Sequence, residues 1–306
     1  MATAATKPAA IDNLRAALWM LVAILCFSAI IIIVRYLNQT HHPYEIAFFR
    51  NFFGLCAMLP FLYRNGLQVL RTERLPLHCV RAGLALVAML TWFTALGLMP
   101  LAEATALSFT APIFISILAV WFFGERIRLR RGTAIAIAFL GVLVILRPGA
   151  GVMEPVALLA LASAITIAFS TMTVKKLGQT EASPVIVTYM VLILTPITAA
   201  LAASVWVTPN LPEFIAFLAL GGVGSFGHFC LSQSLNIGEA SFLAPLDYLR
   251  LPLVALFAYM LFGETVDNAT WIGAAIIIAS TLYIAQREAA LKAKRTHPAA
   301  STNTIQ

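Results

Sequence analysis

Two ionisable side chains stand in the middle of an apolar stretch of this chain. Asp247 and Arg250 lie within FLAPLDYLRLPLVALFAYMLF, residues 242–262. Side chains three residues apart share one face of a helix, so this spacing predicts two opposite charges on one side. A charge at the centre of a bilayer costs about 2.5–3.5 kcal/mol, and the pair must therefore face a cavity or a protein partner. Two interpretations are open: Arg250 binds an anionic group of a substrate, or the pair is a structural ion pair.

Two further ionisable groups lie inside apolar stretches. Arg50 is in the second stretch, where it either binds substrate or extends towards the membrane surface. His228 is the only histidine deep in an apolar stretch, and its alternatives are proton transfer and a structural hydrogen bond. Imidazole titrates near physiological pH, so His228 is one candidate for proton coupling and Asp247 is the other.

Aromatic residues offer a second kind of contact to a substrate. Trp92, Tyr189 and Tyr248 could stack on a flat substrate, or they pack in the protein core. None of the four cysteines has metal-ligand spacing, and no cofactor motif is present in the sequence. We therefore expect neither metal nor cofactor.

Composition places these residues in a membrane protein. Hydrophobic residues make up 61% of the 306 residues and charged residues only 11%, whereas soluble domains are about a quarter charged. The sequence pI is near 9.5, but the basic residues are spread through short gaps between apolar stretches, as topology signals are. The lipid bilayer is thus an expected partner and nucleic acid is not.

Ten apolar stretches are long enough, or nearly so, to cross a bilayer as helices of about 20 residues. They cover roughly residues 14–36, 44–63, 77–98, 101–123, 132–147, 155–174, 184–206, 212–235, 239–262 and 269–286. With a cytoplasmic N-terminus, sixteen of the twenty Lys and Arg residues, Arg81 among them, fall on the cytoplasmic side and only two, Arg35 and Arg147, on the other. The positive-inside rule then places both termini in the cytoplasm.

The two halves of the chain repeat each other. VRYLNQT at 34–40 matches VKKLGQT at 174–180, and WFFGERIRL at 121–129 matches MLFGETVDN at 260–268. Each half holds five of the predicted spans, and an odd number inserts the second half upside down. The predicted fold is therefore all-α integral membrane, with ten transmembrane helices in a 5+5 inverted repeat.

Prolines interrupt the fourth span of each half at nearly corresponding places. Pro112 and Pro252 each lack a backbone N–H and clash with the carbonyl four residues earlier, which frees backbone carbonyls near Ser108 and Tyr248. Interrupted helices at matching positions of two repeats indicate a binding site near the bilayer midplane. A packing kink is the other interpretation.

These motifs resemble those of the EamA-domain group of the drug/metabolite transporter superfamily. The resemblance is carried by FFR at 48–50, APIF at 111–114, APLDYLRLP at 244–252 and FGE at 262–264. It implies two five-helix repeats, residues 14–147 and 155–286. The positive-inside rule makes the flanking residues, 1–13 and 287–306, cytoplasmic tails. The resemblance also implies a transporter of small metabolites in the bacterial inner membrane, with its substrate cavity between the halves.

The predicted function is secondary active transport of a small polar or zwitterionic metabolite by alternating access. Both charge signs lie in the expected cavity, and no nucleotide-binding motif is present, so we expect a proton or counter-solute gradient to drive transport. The candidate substrate-binding residues are Arg250, Asp247, Arg50, Tyr248, His228, Trp92, Ser108 and Tyr189. An intramembrane enzyme and a non-transporting receptor are the alternatives. The sequence leaves the substrate, the direction and the oligomeric state open.

Overall fold

Helices form the regular structure of this protein. The computed structural model describes residues 13–66, 70–123, 129–146, 155–181, 183–237, 243 and 246–296, and no strand occurs among them. We number the helices α1 (Asn13–Leu37), α2 (Pro43–Asn65), α3 (Leu75–Leu98), α4 (Leu101–Ser108), α5 (Ala111–Phe123), α6 (Leu129–Leu146), α7 (Pro155–Leu177), α8 (Ser183–Ala203), α9 (Leu211–Ile237), α10 (Arg250–Phe262) and α11 (Asn268–Thr296).

The length and composition of these helices are those of membrane spans. Seven helical segments of the described chain are long and apolar enough to cross a bilayer. Three shorter apolar helices, Gly132–Leu146, Arg250–Phe262 and Asn268–Ile284, accompany them. A helix rises 1.5 Å per residue, so the 25 residues of α1 extend about 37 Å, more than the roughly 30 Å of bilayer hydrocarbon. The all-helical membrane fold predicted from the sequence is confirmed.

Two of the apolar segments are broken by a turn. α4 ends at Ser108, Phe109 and Thr110 form a turn, and α5 begins at Ala111. In the second half, Tyr248 and Leu249 form the turn that precedes α10. The proline stands in the first turn of the helix after each break, where a missing N–H is tolerated. Phe109 and Tyr248 are 139 residues apart, the offset between the two FGE segments of the sequence repeat.

Helices of the two halves pack against each other in pairs that are related by exchange of the halves. α1 packs on α9 and α3 packs on α7, while α2 packs on α9 and α3 packs on α8. Two further pairs, α2 with α8 and α6 with α11, join a helix to its counterpart in the other half. The contacts of α1, α2 and α3 with α7, α8 and α9 thus recur with the halves exchanged.

Glycines allow several of these helices to approach closely. A Cβ at Gly221 of α9 would lie 2.4 Å from the Cβ of Phe53 on α2. A Cβ at Gly273 of α11 would lie 2.6 Å from the carbonyl oxygen of Gly141 on α6. Small residues at crossings are how membrane helices gain packing energy in the absence of a hydrophobic driving force.

The last helix continues past the apolar part of the chain. α11 ends at Thr296, within the tail predicted at residues 287–306. The segment that follows the apolar part is QREAALKAKRT, residues 286–296, and Ala, Leu, Lys, Glu and Arg are strong helix formers. Helix propensity therefore extends the element beyond its apolar part.

Candidate functional site

Asp247 and Arg250 form an ion pair next to the break before α10. The Nη2 of Arg250 lies 3.3 Å from the Oδ2 of Asp247, and the two side chains are 21% and 36% exposed. The Arg250 guanidinium also lies over the ring of Phe109, 5.2 Å from its centroid, in cation–π geometry. Its Nε is buried and has no hydrogen-bond partner. The charged pair is therefore only partly satisfied by the protein.

The two helix breaks meet at Phe109 and Tyr248. Their rings contact edge to face, with centroids 4.9 Å apart. The Tyr248 hydroxyl is hydrogen-bonded to the Thr281 hydroxyl of α11. Ser108, one residue before the first break, donates its hydroxyl to the carbonyl of Thr105 at 2.7 Å. The breaks thus bring four candidate residues, Ser108, Asp247, Tyr248 and Arg250, into one region.

Arg50 belongs to a second group, with His228 and Arg81. The Nη1 of Arg50 contacts the Oδ1 of Asn51 at 3.3 Å and the Sδ of Met89 at 3.7 Å. Arg50 and Arg81 are close enough to interact electrostatically with each other and with His228. The three residues come from α2, α3 and α9. Arg81 was counted as a cytoplasmic charge in the sequence, yet its side chain is only 9% exposed.

Two aromatic candidates lie elsewhere. Trp92 is partly buried against the main hydrophobic core. Tyr189 stacks on the ring of His78, with centroids 4.3 Å apart, and its hydroxyl donates to the carbonyl of Leu70. Tyr189 therefore lies at the connection between α2 and α3, with both its ring and its hydroxyl in protein contacts.

One end of the molecule, which we call the His78 end, joins the halves through Glu181. The Nε2 of His78 lies 2.5 Å from the Oε2 of Glu181, and the Thr72 hydroxyl donates to the other carboxylate oxygen. Glu181 follows α7 in the second half, whereas Thr72 and His78 belong to the first.

The opposite end, the His41 end, joins the halves through a similar cluster. The imidazole of His41 is fully buried between two carboxylates, with Nδ1 3.2 Å from Glu45 and Nε2 3.1 Å from Glu213. The Thr40 hydroxyl donates to Glu213 at 2.9 Å, and the backbone N–H of Val207 donates to Glu45 at 2.9 Å. His41 and Glu181 are 140 residues apart, so corresponding loops make the contacts at the two ends.

An ion pair between Arg35 and Glu264 adds to the His41 end. Their closest atoms, Nη2 and Oε1, lie 2.6 Å apart. Arg35 also donates to the carbonyl of Gly97 at 2.7 Å, and Glu264 accepts the N–H of Leu101 at the start of α4, at 2.8 Å. A pocket of about 540 Å³ lies beside this pair. In the part of the chain that the structure describes, no group of three His, Cys, Asp or Glu residues could hold a metal.

Comparison with known proteins decides the family. The EamA-like transporter family matches residues 14–147 and again residues 155–286. The chain belongs to the EamA-like transporter family. It is a multi-pass membrane transporter of the drug/metabolite type, as the sequence motifs indicated.

Relatives cover nearly the whole of this family member. An S-adenosylmethionine uptake transporter of Rickettsia bellii is 33% identical over 277 residues, 90% of this chain and 95% of its own length. A riboflavin transporter of Rhizobium johnstonii is 32% identical over 275 residues, 89% of this chain and 91% of its own. A pseudopaline exporter of Pseudomonas aeruginosa is 25% identical over 262 residues, 85% of this chain and 92% of its own. These relatives are all transporters of small molecules and none is named as an enzyme.

A solved crystal structure has the same fold. It covers 89% of this chain and 98% of its own, with a TM-score of 0.63 and 20% sequence identity. At that identity the likeness concerns the fold alone.

Proposed function

We propose that this protein is a secondary active transporter that moves a small polar or zwitterionic metabolite across the bacterial inner membrane by alternating access. The observation that carries the proposal is the meeting of two broken helices at Phe109 and Tyr248, next to the partly satisfied charges of Asp247 and Arg250. Interrupted helices at the interface of two repeats are where transporters bind substrate.

The ten-span 5+5 inverted repeat is part of this proposal. The exchanged helix pairs, the matching breaks and the two family matches support it. With both termini cytoplasmic, the His78 end faces the cytoplasm and the His41 end faces the periplasm. Alkaline phosphatase fused after residue 204 would be active in that topology, and a fusion after residue 74 would be inactive. The opposite pattern would overturn the orientation.

Alternating access is supported by the contacts between the halves at both ends. His78–Glu181 joins them at one end, and His41–Glu213 joins them at the other. Rocking of one half against the other breaks one set while it preserves the other, and so exposes a central site to one side at a time. Asp247 and His228 remain the candidates for proton coupling.

The relatives suggest the first substrates to test. S-adenosylmethionine is zwitterionic in its amino-acid part and carries a flat adenine, which suits a cavity with both charge signs and aromatic rings. Uptake and export both occur among the relatives, so direction remains to be measured.

Flux through the purified protein tests the proposal. Proteoliposomes should accumulate radiolabelled S-adenosylmethionine or riboflavin when a proton or counter-solute gradient is imposed, and protein-free liposomes should not. Metabolite profiling of a deletion strain and an overproducer, inside and outside the cell, extends the search to other substrates. Chemical conversion of a ligand without its net movement across the membrane would instead indicate an enzyme and contradict the proposal.

A further inference from the structure

Arg81 is a buried cation, two of whose nitrogens have no hydrogen-bond acceptor in the described part of the chain. It is the seventh residue of α3, its side chain is 9% exposed, and neither its Nε nor its Nη1 has a partner. A guanidinium offers five N–H donors, and a buried donor left unpaired is costly, more so when it is charged. Such a group needs a further partner to explain its position.

A second cation makes the position of Arg81 more costly. Arg50 lies within electrostatic range, so the two guanidinium groups repel each other. The acceptors that the structure gives Arg50 are the neutral Asn51 Oδ1 and the weakly accepting Met89 Sδ. Neither neutralises the charge, so the two arginines form a locally positive site.

The carboxylates that form ion pairs in the described part of the chain do so elsewhere. Glu45 and Glu213 contact His41, and Glu181 contacts His78. Asp247 contacts Arg250, and Glu264 contacts Arg35. None of these five has an ion pair with Arg50 or Arg81 in the structure.

An exposed side chain lies near this site. His228 lies within electrostatic range of both arginines, and its side chain is exposed. The Nε and Nη1 of Arg81 are themselves buried, so a ligand reaches them when α9 of the second half moves away from α2 and α3 of the first. Rocking of the halves supplies such a movement.

We propose that Arg50 and Arg81 form an anion subsite that binds a carboxylate group of the transported metabolite. Arginine binds a carboxylate through two parallel N–H···O bonds. A carboxylate would therefore supply acceptors for the unpaired Nε and Nη1 of Arg81. The inference rests on the proposed transport function, and it narrows the substrate to a metabolite that carries a carboxylate. S-adenosylmethionine has one and riboflavin has none.

Matched ligand pairs test the subsite. Thermal unfolding of the purified protein is measured with S-adenosylmethionine or decarboxylated S-adenosylmethionine, with L-methionine or L-methioninamide, and with succinate or succinamide. We expect at least one carboxylate to raise the Tm while its counterpart without the carboxylate does not. In Arg81→Gln and Arg50→Gln that carboxylate should bind about tenfold more weakly or worse, as the loss of a charge-assisted hydrogen bond implies.

Arg64→Gln is the matched control, since Arg64 lies in the last turn of the same helix as Arg50 and is exposed. Its carboxylate-dependent shift should equal that of the unaltered protein. Without ligand, Arg81→Gln should be as stable as this control or more stable, because it removes a buried unpaired charge. Arg81→Lys keeps the charge but loses the planar fork, and should bind the carboxylate with intermediate affinity.

Three results would overturn the subsite. One is the absence of carboxylate dependence in every ligand pair, and another is its persistence in Arg81→Gln. The third is an equal shift with inorganic phosphate, which would indicate a general anion site. Flux in proteoliposomes separates this inference from the proposed function. Transport without carboxylate preference would support the transport function and contradict the subsite. Carboxylate-specific binding without flux would support the subsite and contradict the transport function.

Discussion

At the scale of single residues, the charges inside the membrane segments differ in how the protein satisfies them. Arg250 has a carboxylate at 3.3 Å and an aromatic ring beneath it, whereas Arg81 has neither a carboxylate nor a ring contact in the described structure. Arg35 has a carboxylate and backbone carbonyls, and its function is to join two segments of the chain. Arginines in the membrane segments therefore have different roles, and the groups around each one distinguish these roles.

Arg250→Ala should abolish transport and preserve the fold. A partly exposed ion pair is worth about 0–1 kcal/mol, so its loss should lower the Tm little, while an anionic group of the substrate loses its partner. Flux should fall at least tenfold relative to Arg64→Ala. The double variant Asp247→Asn with Arg250→Gln keeps the size of the pair without its charge. Normal flux through that variant would establish that the pair is structural.

At the scale of helices, glycines determine which faces can pack. Gly221 and Gly222 are neighbours on α9, but only Gly221 faces α2 closely. A Cβ there would meet the Phe53 Cβ at 2.4 Å, whereas nothing lies within 4 Å of a Cβ at Gly222. Two adjacent positions with the same backbone geometry thus offer a test of the α2–α9 crossing.

Gly221→Ala should destabilise the protein, and Gly222→Ala should not. Overpacking typically costs about 1–3 kcal/mol, which outweighs the roughly 0.5–1 kcal/mol that alanine gains over glycine within a helix. Thermal unfolding in detergent should therefore show a lower Tm for Gly221→Ala and an equal or higher Tm for Gly222→Ala. Equal behaviour of the two variants would contradict the described crossing.

At the scale of the whole molecule, the contacts at the two ends are related by the repeat. The loop after α1 carries His41 to the second half, and the loop after α7 carries Glu181 to the first. Residues in corresponding loops of the two repeats therefore join the halves at opposite ends of the structure. In an alternating-access transporter, weakening of one end should favour the conformation that is open there.

Glu181→Gln and Glu213→Gln should shift this equilibrium in opposite directions. A hydrogen bond to a charged group contributes about 1.5–3 kcal/mol, so Glu181→Gln should speed amide exchange at residues 70–78 about tenfold and slow it at residues 204–213. Glu213→Gln should do the reverse. The exposed Glu73 supplies the control Glu73→Gln. Faster exchange at the altered end without slower exchange at the other would show local loosening and contradict rocking of the halves.

The amino-acid sequence by itself determined the membrane class, the repeat, the helix breaks and the spacing of Asp247 and Arg250. These depend on local properties: the length of apolar stretches, the missing N–H of Pro112 and Pro252, and the three-residue separation on one helix. The family assignment also followed from short motifs and is confirmed by the match over both halves.

Tertiary structure alone decided which buried charges have partners. His78 and Glu181 are 103 residues apart, and Thr40 and Glu213 are 173 apart, so no local pattern could pair them. From the sequence alone, Arg81 is interpreted as a topology signal because it lies near the start of a span. Its position within the predicted span 77–98, however, also indicates burial. Whether a charge is costly or useful depends on the groups that surround it in space. Only the packing of α2, α3 and α9 brings Arg50, Arg81 and His228 near one another.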